Sequence, residues 1–158
     1  MIFFKLKNNF RQGFTLVEIL IVIGVIVILT SIMSVSILNF KNKQALENST
    51  NMIISTLNDA RAKTLASVNN NQYGVHIQND KVVIFTGGTY SSSTISNENF
   101  FYESPVSMTA LSLNGGGSDI KFDRLKGSTS QYGTITIALP GSTSRNITVA
   151  STGTIQRN

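Results

Sequence analysis

Residues 14–38 read FTLVEILIVIGVIVILTSIMSVSIL, and Glu18 is the only charged side chain among them. At about 1.5 Å per residue, a helix of this length spans roughly 37 Å, more than the ~30 Å hydrocarbon core of a bilayer. A helix that is apolar on every side cannot lie on the surface of a 17.2 kDa water-soluble domain. Ile19, Ile21, Val22, Ile23, Val25, Ile26, Val27 and Ile28 are β-branched and in water would favour a strand. In lipid the backbone must satisfy its own hydrogen bonds, and the helix does so. The expectation is a single membrane-spanning helix over residues 14–38.

The flanks set its direction. Lys5, Lys7 and Arg11 precede the run with no acid among them, so residues 1–13 supply +3 of the formal +5. Basic residues before the span and a polar remainder after it predict a cytoplasmic N-terminus and an external C-terminal part. Beyond the first 13 residues, ten basic groups face eight acids, and the pI near 9.7 says little about the rest of the chain. The chain has no cysteine, which excludes disulfides, thiol catalysis and thiolate zinc sites. One histidine, His76, cannot supply a multi-histidine metal site.

After Leu38 the pattern becomes amphipathic. Lys41 and Lys43 are expected at the outer membrane interface. Leu46, Ile53, Leu57, Ala60 and Val68 then recur at helical spacing, flanked by Ile54 and Leu65. Glu47, Asn51, Asn58, Asp59 and Arg61 fill the other faces. The helix is expected to run through residues 39–67 and to stop at Asn69-Asn70-Asn71, its apolar stripe covering a sheet.

Residues 68–158 read as strands. Tyr73, Val75 and Ile77 alternate with Gly74, His76 and Gln78, and Asn79-Asp80 turns the chain into 81–86. A Gly/Ser-rich loop, 87–97, precedes Phe100-Phe101-Tyr102. Further strands are expected at 120–122, 134–139, 146–150 and 154–156. In the strand carrying Ile135, Ile137 and Leu139, residues Thr134, Thr136 and Ala138 face away, which indicates one covered and one wet face. The fold class is therefore α+β, a long N-terminal helix packed on a C-terminal antiparallel sheet.

One motif narrows the class. Gly13-Phe14-Thr15-Leu16-Val17-Glu18, after a short basic leader and before the apolar run, resembles the class III signal of type IV pilins and type II secretion pseudopilins. The resemblance implies that residues 1–13 are a leader peptide removed by a prepilin peptidase at the Gly13–Phe14 bond. It implies N-methylation of the new terminus, Phe14. It further implies storage in the inner membrane, an assembly platform there, and entry with other pilin or pseudopilin subunits into a helical filament in the periplasm or at the cell surface. Gly13 lacks a Cβ and lets a protease approach the backbone closely. A carboxylate at Glu18 is unfavourable in hydrocarbon by ~2.5–3.5 kcal/mol, less near the interface. In such a filament the α-amino group of Phe14 on a neighbouring subunit would partner Glu18 and fix axial register. An ordinary secretory signal would instead be cut after its core, and Ser34-Val35-Ser36 offers such a site. The run is long for that, and it carries a carboxylate near its start. No proline interrupts the helix, and Gly24 is its only soft point.

Leu57-Asn58-Asp59-Ala60-Arg61-Ala62 resembles the LxxAR helix end of GspH/FimT-type minor pseudopilins, and residues 147–155 resemble their closing hairpin, with Gly153 between the strands. Another minor subunit or a major pilin-like subunit is the alternative. The resemblance implies a structural minor subunit of a type II secretion pseudopilus or a type IV pilus. A second function class is a DNA-binding minor pilin for DNA uptake, with Arg124, Lys126, Arg145 and Arg157 as phosphate contacts.

No catalytic site is expected, and no cofactor or metal. His76, on an alternating strand, is expected to face solvent and has no serine partner. Lys126-Gly127-Ser128-Thr129 has phosphate-loop residue types in the wrong order and reads as a turn. Gly115-Gly116-Gly117 reads as a flexible loop. Asp119 and Asp123 lack a third nearby acid for calcium. Asn48 and Asn146 head glycosylation sequons that match cheaply.

Overall fold

A computed structural model describes residues 13–141 and 143–158, except for the side chains of residues 32–36. The leader cations Lys5, Lys7 and Arg11 lie outside the described residues, as do the side chains of Ser34, Val35 and Ser36. The chain divides into two compact units, Met1–Asn39 and Phe40–Asn158. Helix α1 (Leu16–Leu65) contributes to both.

In the first unit, helix α1 starts two residues after Phe14. Thr15 caps it: the Glu18 N–H donates to Thr15 Oγ1 at 3.2 Å, satisfying one of the amides that a helix start leaves open. From Leu16 to Leu29 the large apolar side chains are exposed on every face. The two hydroxyls that follow do not break the pattern. Thr30 donates to the Ile26 and Val27 carbonyls and Ser31 to that of Val27, all within 3.0 Å. Among the described residues no helix is long and apolar enough to cross a membrane. The described side chains of the predicted span are those of residues 14–31 and 37–38, and Ile37 and Leu38 are exposed as well.

In the second unit, Leu46, Ile53, Leu57 and Ala60 of α1 are buried, as their spacing predicts. Val68 does not join them, being 38% exposed. The helix ends at Leu65, short of the expected Ser67, and Ser67, Asn69 and Asn70 take positive φ, which turns the chain away before Val68 can continue the stripe. Buried threonines supply what the apolar pattern omitted. Thr50 and Thr56 donate to the carbonyls one turn back, Leu46 and Met52. Thr64 donates to Ala60 and accepts the Tyr73 N–H at 3.0 Å, tying the helix end to the first strand.

Among the described residues eight strands form the expected antiparallel β domain, divided into two sheets. They are β1 (Tyr73–Ile77), β2 (Lys81–Thr86), β3 (Glu98–Phe101), β4 (Ser107–Leu113), β5 (Asp119–Lys121), β6 (Gly133–Ala138), β7 (Ser144–Val149) and β8 (Ile155–Arg157). The first sheet has the order β3-β2-β1-β5 and the second β4-β6-β7-β8. The expected Asn79-Asp80 hairpin forms, with Ile77 opposite Val82. Strand β4 was missed because a bulge at Thr109 breaks its alternation: Met108 pairs with Ile137 and Ala110 with Thr136. Inner-face residues of both sheets (Val75, Ile84, Ile120, Ile135, Ile137, Ile147) and the α1 stripe form one hydrophobic core.

The outer face of the first sheet is also covered. Val83 and Phe85 are buried there without belonging to the main core. Tyr90, from loop 87–97, sets its ring edge against Phe85 and stacks on His76 at 3.9 Å. Phe85 lies over Gly74, where an added Cβ would come within 2.6 Å of the ring. Glycine at residue 74 is thus required by a close approach.

Candidate functional site

The site marked by the Gly13–Glu18 motif is the entry to α1. Gly13, Phe14 and Thr15 precede the helix in irregular conformation, and Gly13 is exposed with nothing within 4 Å of where a Cβ would stand. The backbone at Gly13 is therefore open immediately before a capped helix. Phe14, Glu18, Ile19, Val22 and Ile23 line one apolar groove along this end of the helix. Glu18 is the only carboxylate in it. The capping role of Thr15 is legible in the sequence as Thr15-x-x-Glu18, a residue pair that closes helix N-termini.

The four proposed phosphate contacts are not assembled into one basic surface. Arg145 on β7 and Arg157 on β8 both pair with Glu47 of α1. Arg145 Nε and Nη2 reach Glu47 Oε1 at 2.8 and 2.7 Å, and Arg157 takes Oε2. The Arg145 hydrogen bond, with both guanidinium charges, outweighs partial burial and holds the Glu47 carboxyl below its ordinary 4.5. Arg124 bridges Ser67 and Asn70, where the chain leaves the helix. Lys126 alone of the four is without a side-chain partner among the described residues.

The LxxAR residues have a structural reason. Leu57 and Ala60 are fully buried, and Arg61 donates from Nε to the Gly127 carbonyl at 2.9 Å and from Nη2 to that of Thr152 at 3.3 Å. Gly153, at φ +78°, must lack a side chain: its Cβ would overlap the Gly127 oxygen and stand 2.8 Å from Arg61 Nε. Helix end, turn 123–128 and closing hairpin are thereby locked together.

His76 does not face solvent as expected. Its Nδ1 is 2.5 Å from Asp119 Oδ1 and its ring lies under Tyr90, because loop 87–97 folds back over the sheet. Asp119 is engaged by His76, and Asp123 accepts from the Ser128 hydroxyl at 2.8 Å. No group of three or more His, Asp or Glu that could hold a metal occurs among the described residues. Lys63 bridges Asp59 and Glu98. Burial alone would lower its pKa, but hydrogen bonds to both acids prevail and raise it.

The family described as "Prokaryotic N-terminal methylation motif" matches residues 8–34. That motif, an N-terminal helix and antiparallel sheets together fit a type IV pilin-like protein. Such a motif implies processing by a prepilin peptidase and assembly with other pilin subunits. No curated protein and no solved structure matches the chain significantly.

Proposed function

We propose that the chain is a structural, non-catalytic minor subunit of a pilin-like filament, anchored in the inner membrane by residues 14–38 until it is assembled. A prepilin peptidase cleaves the Gly13–Phe14 bond, Phe14 is methylated, and Glu18 pairs with the α-amino group of Phe14 on a neighbouring subunit at the assembly platform. The observation that carries this reading is the motif match over residues 8–34, which takes in the start of a helix whose large apolar side chains from Leu16 to Leu29 are exposed on all sides. Such a surface needs lipid or other helices around it.

Within that class, the GspH/FimT-type reading is supported by Arg61 joining the helix end to the closing hairpin at Gly153. A type II secretion pseudopilus and a type IV pilus are both compatible with it. Capture of DNA through Arg124, Lys126, Arg145 and Arg157 has less support, because Glu47 occupies two of these cations and the helix-end turn a third.

The test is incorporation. Glu18→Ala, expressed with the host's assembly machinery, should still be cleaved yet fall out of the sheared filament fraction by tenfold or more. Normal incorporation of Glu18→Ala would refute the register role, and an intact leader in the wild type would refute the processing role.

A further inference from the structure

A cleft of about 380 Å³ in the second unit is lined by Lys43, Leu46, Glu47, Thr143 and Arg145. Lys43, Leu46 and Glu47 share one face of α1, being three and four residues apart. Its charges do not balance. Glu47 is the only acid in the lining, and both its oxygens are taken by Arg145 and Arg157. Lys43 has no side-chain partner among the described residues. Arg145 spends Nε and one Nη2 hydrogen on Glu47, and one Nη1 hydrogen on the Ser144 carbonyl at 3.3 Å. An N–H on each terminal nitrogen remains. The cleft thus offers an ammonium and a two-pronged guanidinium, with a surplus of positive charge.

We propose that this cleft binds the phosphate of an anionic phospholipid headgroup. A phosphodiester fits the donor set, because a guanidinium presents paired N–H groups to phosphate oxygens and a lysine adds a point charge. Lys43 follows the end of the proposed membrane span by five residues, and a lysine's long side chain can reach back from there toward the headgroups. The proposal rests on the anchor reading above. Before assembly the bound lipid would hold the second unit against the membrane, and release into the filament would exchange that headgroup for solvent or a neighbouring subunit.

The test uses the full processed chain in nanodiscs of zwitterionic lipid, with and without phosphatidylglycerol, and native mass spectrometry after transfer to mild detergent. Wild-type protein should retain phosphatidylglycerol over phosphatidylcholine. Lys43→Ala should cut that preference about fivefold, the equivalent of ~1 kcal/mol per lysine at an anionic surface. Lys41→Ala, about 200° around the helix from Lys43, should change it less than twofold. Equal losses from the two variants would overturn the cleft in favour of diffuse surface charge. No lipid preference in the wild type would overturn it outright. Displacement by millimolar inorganic phosphate would make the site one for free phosphate and overturn the lipid assignment. A chain that never inserts into the nanodisc would remove the anchor reading itself, and with it this proposal; insertion without headgroup preference would remove this proposal alone.

Discussion

The two units use the same residue types in opposite ways. Ile23 in the first unit is 54% exposed, with Val22 and Ile26 similar, whereas Ile53 in the second is fully buried and packs with the inner faces of both sheets. Both isoleucines belong to the same helix. The second unit satisfies its hydrophobic surface within itself; the first leaves it for other molecules to cover. The difference separates two tasks, since interior packing makes a domain and an uncovered apolar helix makes an anchor or an assembly surface.

The largest effect should come from the proposed cleavage site in the first unit. Gly13→Val places a branched side chain at the scissile bond and is expected to abolish leader removal, read as an unshifted band on coexpression with a prepilin peptidase. Ordinary processing of that variant would show that the open backbone at Gly13 is not what the protease requires.

Next in size are paired truncations. Ile53→Ala should destabilise the second unit by about 2–5 kcal/mol, since the surrounding helix and sheets cannot close the cavity fully. Ile23→Ala should leave its unfolding midpoint unchanged. Measured on the full chain in detergent by denaturant titration, equal effects would dissolve the contrast between the units.

Gly153→Ala sharpens the account of the second unit. Its Cβ would overlap the Gly127 carbonyl at a backbone φ of +78°, and a cost of at least ~1–3 kcal/mol is expected. Gly115→Ala, also at positive φ but with nothing within 4 Å, carries only the conformational part and should lose less.

The smallest effect is electrostatic. Glu47 has its carboxyl held below 4.5 in the folded state and at its ordinary value when unfolded. Its contribution to stability is therefore full above about pH 4.5 and is lost as pH falls through the lower folded value. The pairs are about a third to half exposed, so Glu47→Gln should cost no more than ~1 kcal/mol at neutral pH and flatten the acid limb of the stability profile. An acid limb identical to wild type would assign that limb to other groups.

Much of this was legible in the sequence because it depends on local pattern. The apolar run, the helix stripe at Leu46, Ile53, Leu57 and Ala60, and the Asn79-Asp80 hairpin all follow from periodicity and turn chemistry. What was illegible depends on pairing between distant residues. The second sheet could not be separated from the first while the bulge at Thr109 hid strand β4. The apolar spacing leaves out Thr50, Thr56 and Thr64, which are nonetheless buried because their hydroxyls are satisfied by the helix's own carbonyls. His76 read as solvent-facing because nothing in its strand announces that Tyr90, fourteen residues later, returns to cover it. Among the candidate site residues, Gly13, Phe14 and Glu18 stand together in one motif, so they could be proposed without a fold. Arg145 and Arg157 looked like free cations because their partner, Glu47, lies some hundred residues away on the helix.

The most direct test of the central claim is the N-terminal mass of the full chain expressed with and without a prepilin peptidase. The account predicts a start at Phe14, carrying one added methyl where the peptidase also methylates, only when the enzyme is present. An intact Met1 in both samples, or a start near Val35 or Ile37 in either, would contradict it.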